Sequence, residues 1–413
     1  MTFPIQNFDR KSGVVSKRFA ALLERVAGIS AEADDWPAQL NKFITTHPHR
    51  WWHGVWIACE IKGEPGAMTP APGSISVAQV FCDARINIAE NILGFGPRQV
   101  NAITAWAEDG PQNRWSRARL KEMAGRFASG FSGLGLQCGD HVVLNLPDIP
   151  EKIAAFLGAS WLGLISVLDP PWRDVANDPS SAWREFEPKL ILSCDGYRRN
   201  GQWMDQADQL QHLIRTFADT AKVIAVPCAG SRIDVQNLSG ILPWQQFDRL
   251  GKGGGKPFEY VGFDHELAKI PNTDNTGFIS IQSGPWLISA LQQWRLLLDV
   301  QPECHIFNAV NLAQDDWLLG VCVLATGTDI VVYDGDISAM NGQILWRIIE
   351  REACKLVQFD ADAMAALVHE QHAPMDNHIL DRVETVVFER KTPAAQQKLI
   401  GEAGFATNII WYV

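Results

Sequence analysis

The chain is predicted to be an α/β protein built on parallel sheet. Three observations predict this. From Asn101 onward, short apolar runs of strand length alternate with stretches of helical periodicity. Turn residues such as Gly139-Asp140 separate them. The 413 residues, 46% of them hydrophobic, are enough to bury the cores of two or three domains.

Taken in order, residues 1–60 read as helical, because Phe19, Leu22, Leu23 and Val26 recur on one helix face. Trp36 to Phe43 forms a second helical segment and leads to the aromatic cluster Trp51, Trp52 and Trp56. Pro65, Pro70, Pro72 and Gly73 then mark an extended connector. Ser116 to Gly133 is a helix, with Ser116 as N-cap and Leu120, Met123, Ala124 and Phe127 as its apolar stripe. A strand over His141–Leu146, a helix over Glu151–Trp161 and strands at Leu164–Leu168, Leu190–Leu192 and Val223–Val226 continue the alternation. Beyond them come a helix over Trp286–Leu298, a strand over Thr328–Tyr333, a helix over Ile344–Cys354, and strands at Leu356–Phe359, Thr385–Phe388 and Asn408–Val413. Crossover helices between such strands imply parallel pairing.

Composition excludes several functions. A formal net charge of −11 argues against a nucleic-acid surface, which needs clustered Lys and Arg. The eight cysteines include no CxxC pair, so a zinc-finger site is not indicated, and Cys322 inside an apolar run reads as a small hydrophobe. No apolar run approaches the ~20 residues that span a bilayer. Without a signal peptide, a reducing cytoplasm is expected. Sixteen tryptophans fit core and interdomain packing, while any left on the surface would favour an interface. His47, His49 and His53 adjoin the Trp cluster and read as structural. Gly251-Lys-Gly-Gly-Gly-Lys256 is a flexible linker, since Pro257 follows where a phosphate loop needs a helix. No GxSxG, HExxH or GxGxxG occurs in a suitable context.

Several collinear stretches resemble one family. Val80-Phe-Cys-Asp-Ala-Arg-Ile-Asn-Ile-Ala-Glu-Asn-Ile-Leu93 is similar to its WFPGARLNYAENLL, and Gly139 to Glu151 to its GDRVAAYLPNIPE. Glu187 to Tyr197 resembles EPKVLFAADGY, Phe263-Asp-His-Glu-Leu267 resembles FDHPL, and Val331 to Gly335 resembles VLYDG. Leu345 to Glu352 resembles LWRLAEREG. The ordered set, from about residue 45 to the end, is similar to acetoacetyl-CoA synthetase-like members of the adenylate-forming acyl-CoA synthetase superfamily.

The resemblance implies a large N-terminal domain of two αβαβα-type subdomains, without the family's C-terminal domain. The expected units are a helical segment at 1–100, a first α/β subdomain at 101–285 with a linker at 250–262, and a second at 286–413. The family uses ATP, Mg and CoA to make an acyl-adenylate and then a thioester. Its phosphate loop, YSSGTTGLPK, falls on Ala268 to Gly277. Thr273, Thr276 and Gly277 remain there, but Asp274 replaces a glycine and the lysine is missing. An aspartate aimed at a triphosphate repels it.

The family's acyl-pocket segment falls on Leu312 to Leu318. Trp317 matches a pocket tryptophan, whereas Asp315 and Asp316 replace apolar residues and are expected to face solvent. The GTSA turn falls on Gln358-Phe-Asp-Ala361, and the adenine segment on Val387 to Pro393, where Phe388, Glu389, Arg390 and Lys391 are bulky. The family's later motifs would follow Trp411-Tyr412. The expectation is therefore a degenerate homologue with no catalytic residue, no resident cofactor and no metal. It would act through a protein partner, self-association or an acyl- or CoA-like ligand. Two alternatives are half of a split ligase completed by another chain, and a different activity around Asp315, Asp316, Asp360 and Arg390.

Overall fold

The structure, a computed structural model, describes residues 15–67, 76–172, 179–228, 234–252, 255–272, 277–302, 304–309, 314–336, 343–359, 379–388 and 408–411. Two large sheets carry the fold. In the first, the strand order is Lys222–Val226, Leu190–Cys194, His141–Leu144, Ile165–Leu168, Glu266–Pro271 and Phe278–Gln282. All neighbours are parallel except the last pair. The four strands between 141 and 226 are largely apolar and buried, the usual setting of parallel sheet covered on both faces.

The second sheet runs Asn408–Trp411, Thr385–Phe388, Leu356–Phe359, His305–Ala309, Asp329–Asp334, Asn101–Ala107 and Gly110–Ser116. It is parallel up to its closing antiparallel hairpin. That hairpin, at 101–116, is grouped by the sequence with the first subdomain, yet it pairs in the second sheet. Its strand Asn101–Ala107 is buried along almost its whole length and needs the apolar strand Asp329–Asp334 beside it.

Between the sheets lies the helix Pro150–Trp161, buried on every side from Lys152 to Trp161. It crosses the helix Arg117–Gly133 at Gly158, where a Cβ would stand 2.5 Å from the Phe127 Cβ and 2.9 Å from the Ala124 carbonyl oxygen. Ser116 caps Arg117–Gly133 by accepting from the Arg119 N–H, as its position predicts. One apolar core runs through the N-terminal helices, both faces of Pro150–Trp161 and the inner face of the second sheet. Phe19, Leu22, Leu23 and Val26 all enter it.

Two buried arginines tie this core together. Arg117 donates to the carbonyls of Phe95, Leu324 and Thr328. Arg295 donates to those of Cys59 and Ala325, and its guanidinium lies 3.8 Å from the Phe95 ring centroid. Fixed backbone acceptors on segments distant in sequence make these side chains clamps.

The tryptophans follow the core-packing expectation: of the fifteen whose side chains are described, eleven are buried and four half-buried. Other expectations need correction. The Gly-rich stretch is linker only in part, since Gly251 closes the helix Trp244–Gly251 and a Cβ there would meet the Arg126 carbonyl at 2.7 Å. Trp286–Leu298 is helical, but as Ser283–Leu291 running into a wider π turn at Gln292–Leu297. Among the described residues no helix is long and apolar enough to cross a membrane.

Candidate functional site

In open α/β sheets, ligands bind outside the carboxyl ends of the strands. Here the carboxyl ends of both sheets contribute charged groups to one crevice. The first sheet contributes Asn145, Asp169, Asp195 and Cys228, just past its strands. Asn145 donates to the Asp169 carbonyl (2.9 Å) and accepts from Ser193 (3.0 Å), while Asp169 accepts from the Trp183 indole (2.8 Å). The second sheet contributes Glu108, Asn308, Asp334, Asp336 and Gln358.

The helix Pro150–Trp161 opens beside this edge. In its first turn Lys152, fully buried, reaches back to Asp148 (2.8 Å) and lies 4.4 Å from the Trp317 ring centroid. Trp317 meets Phe156 edge-on at 5.8 Å, and its indole N–H donates to Asp148. Burial pushes the Asp148 carboxyl up, while Lys152 and Trp317 hold it down. Trp317 is thus covered by an ion pair and an aromatic ring.

Asp316, next to Trp317 in the helix Gln314–Cys322, is buried, contrary to the expectation that it faces solvent. The Gln358 amide reaches it, donating to the Asp316 carbonyl (3.1 Å) and lying 3.5 Å from its carboxylate. Asp316 shares a helix face with Gly320, four residues on, and that face packs against the strand ends carrying Asn308 and Gln358. Asn308 packs over Gly320, where a Cβ would stand 2.4 Å from its Nδ2. Asn308 and Gln358 are register partners on adjacent strands. The amide oxygens of both, and one carboxylate oxygen of Asp334, are buried without a hydrogen-bond partner.

Negative charge accumulates at this edge. Asp334 is pushed up to about 7, first by burial and then by the facing Asp148 and Glu108 carboxylates. Tyr333 is raised by burial and by Glu108. Above them, the hairpin of Gly196–Arg199 and Gln202–Asp205 straps one subdomain to the other. Arg198 pairs with Asp109 (2.8 Å), Arg199 with Asp336 (3.2 Å), and Glu108 accepts from the N–H groups of Gly201 and Asp336. The crevice can accept hydrogen bonds and hold a proton near neutral pH. Among the described residues, no group of three or more His, Cys, Asp or Glu is placed to hold a metal ion.

The loop that the resemblance aligns with the family's phosphate loop lies at the same edge, between Glu266–Pro271 and Phe278–Gln282. Thr273, Asp274 and Thr276 lie outside the described residues; Gly277 lies at the loop's neck. There the Gly277 N–H donates to the Asn272 side chain (3.1 Å) and its carbonyl accepts from the Asn272 N–H (3.0 Å). The hairpin's lysine, Lys269, is bound to Glu266 (2.6 Å) and Ser280 (2.7 Å). The Asp315 side chain, Asp360, Glu389, Arg390 and Lys391 also fall outside the described residues. A separate pocket of about 430 Å³, lined by Asp140, Lys189 and Lys222, opens at the amino ends of the first sheet, away from this chemistry.

The resemblance singles out Trp317 and the loop, but neither it nor the local sequence points to Lys152, Asp148, Asn308 and Asp334. Asp148 and Asp334 lie inside stretches read as scaffold, and Lys152 looks like a surface residue at a helix start.

No family model matches the chain. It is 26% identical over 327 residues to acetoacetyl-CoA synthetase of Gallus gallus, covering 76% of this chain and 49% of that protein. It is 26% identical over 308 residues to acetoacetyl-coenzyme A synthetase of Rhizobium meliloti, covering 71% and 46%. Among solved structures, acetoacetyl-CoA synthetase from Streptomyces lividans superposes with a TM-score of 0.80 at 24% identity, over 97% of this chain and 62% of that one. The chain thus spans about half the length of the curated relatives it matches. With relatives at about 25% identity along most of its length and a shared fold, the chain is a homologue of the acetoacetyl-CoA synthetases.

Proposed function

We propose that this chain is a non-adenylating homologue that acts by binding rather than by ligation. One observation carries the reading: Trp317, which the resemblance places in the acyl pocket, is covered by the buried Lys152–Asp148 pair and by Phe156. An acyl group there would have to displace an ion pair from a dry site, a cost of several kcal/mol. The closed neck at Asn272 and Gly277 and the missing loop lysine support the same reading.

Its binding partner is a protein, a second copy of the chain, or an acyl- or CoA-like ligand. The edge strand Phe278–Gln282 supports a protein or a second copy, because it ends the first sheet and exposes Ile279.

Calorimetric titration of the folded chain with ATP·Mg²⁺ tests the proposal, with a cooperative thermal melt confirming the fold. No heat of binding is expected. A micromolar site, followed by pyrophosphate exchange with acetoacetate, would overturn it. ATP binding seen only when a second chain is added would favour a split ligase instead.

A further inference from the structure

Cys194 and Cys228 lie at the carboxyl edge of the first sheet, on adjacent parallel strands. Cys194 pairs in register with Val226, so Cys228 is its diagonal neighbour two residues on. Side chains two apart along a strand share a face, and here Cys194 and Val226 both enter the central core. The chain then folds in rather than away. The Cys228 N–H donates to the Asp195 carboxylate (2.8 Å), which holds Cys228 against the residue following Cys194. The Cys228 sulfur lies 3.9 Å from the carbonyl of Val226, the residue in register with Cys194. Cys194 is fully buried and Cys228 half-buried, so Cys228 is the nearer of the two to solvent.

We propose that Cys194 and Cys228 form an oxidisable dithiol, a site at which a peroxide closes a disulfide across the two strand ends. The Cys228 thiolate attacks a peroxide oxygen, the O–O bond breaks, and water or an alcohol leaves with the proton. The resulting sulfenic acid is attacked by Cys194: the S–S bond forms, the S–O bond breaks and a second water leaves. Two thiols are oxidised by one peroxide, which is reduced in full. The site is slow. Contact with Cys194, burial, and the Asp334 and Asp195 carboxylates all hold the Cys228 thiol protonated. The cross-link therefore forms faster as pH rises. It joins residues far apart in sequence and raises the melting temperature by constraining the unfolded chain.

The test uses the full reduced chain treated with hydrogen peroxide, alkylated, digested and mapped by mass spectrometry with and without reduction. A peptide linking Cys194 to Cys228 is expected at least tenfold above any other cysteine pair. It should be absent from both Cys194→Ser and Cys228→Ser. The proposal is overturned if both residues remain alkylatable after prolonged peroxide treatment at high pH, long after the exposed Cys82 and Cys138 are consumed. Mapping the unsubstituted chain decides the matter even if either variant fails to fold.

Discussion

The strand Asp329–Asp334 begins and ends on aspartate, and its two ends are treated differently. At the amino end Asp329 is fully engaged, accepting from His305 (2.7 Å) and Asn101 (3.2 Å), while Arg117 binds the carbonyl of neighbouring Thr328. At the carboxyl end Asp334 keeps an unpartnered oxygen, as do Asn308 on the adjacent strand and Gln358 on the strand beyond it. Buried polar atoms without partners cost about 1–3 kcal/mol each, so a fold retains them where something other than packing is served. The amino edge is built for stability, and the carboxyl edge keeps buried polar atoms that packing does not satisfy.

The largest effect expected from this contrast is at the amino edge. Arg117→Met removes the donor from three buried carbonyls and should destabilise by about 4 kcal/mol in urea unfolding. A loss under about 1 kcal/mol would mean that the clamp is not structural. At the crevice, Lys152→Met strands the buried Asp148 and should cost about 3 kcal/mol. Adding Asp148→Leu should recover most of that loss, because an apolar pair of similar volume suits a dry site. If the double variant unfolds as readily as the single, the pair is required by the fold and the contrast between the edges weakens.

Asp334 gives a smaller effect with a distinctive pH dependence. Its folded carboxyl lies near 7 against an ordinary value of 3.8, so the folded state resists an ionisation that the unfolded chain accepts. This penalty is absent below about pH 4, grows up to about pH 7 and is constant above. Asp334→Asn should therefore stabilise by about 2 kcal/mol at pH 8, with the gain gone near pH 4. Melting curves at the two pH values read it directly, and equal shifts at both would contradict the unpartnered, acid-shifted carboxyl.

The fold was legible where periodicity and turn chemistry agree. The strands at 141, 190, 223 and 356 announce themselves as apolar runs of the right length, and Ser116 caps the helix its position promises. The hairpin at 101–116 is harder, because Gly110–Ser116 is a polar, exposed edge and its partner Asn101–Ala107 pairs with a strand more than 200 residues later. The site was half legible. Trp317 and Gly277 could be placed by resemblance, but no local pattern shows that Lys152 is buried. Its environment is made by Asp148 one turn earlier and by a tryptophan from the other half of the chain. Asp316 misled for the same reason: solvent exposure was inferred from chemistry, whereas Gln358 supplies an internal partner.

The smallest effect closes the comparison at the amino end of the same strand. The hydrogen bond to Asp329 raises the His305 imidazole above its ordinary 6.5, against an opposing push from burial. A raised histidine stabilises the fold fully below the unfolded value, and that contribution is lost as pH rises through the folded one. His305 is nearly half exposed, so solvent screens the pair and its worth is under about 1 kcal/mol. His305→Gln should therefore lower the melting temperature slightly at pH 5.5 and leave it unchanged at pH 8.5. The opposite sign to Asp334→Asn is the informative part. Along one strand, titration at the amino end favours the fold in acid because a partner is present, and titration at the carboxyl end penalises it in base because none is.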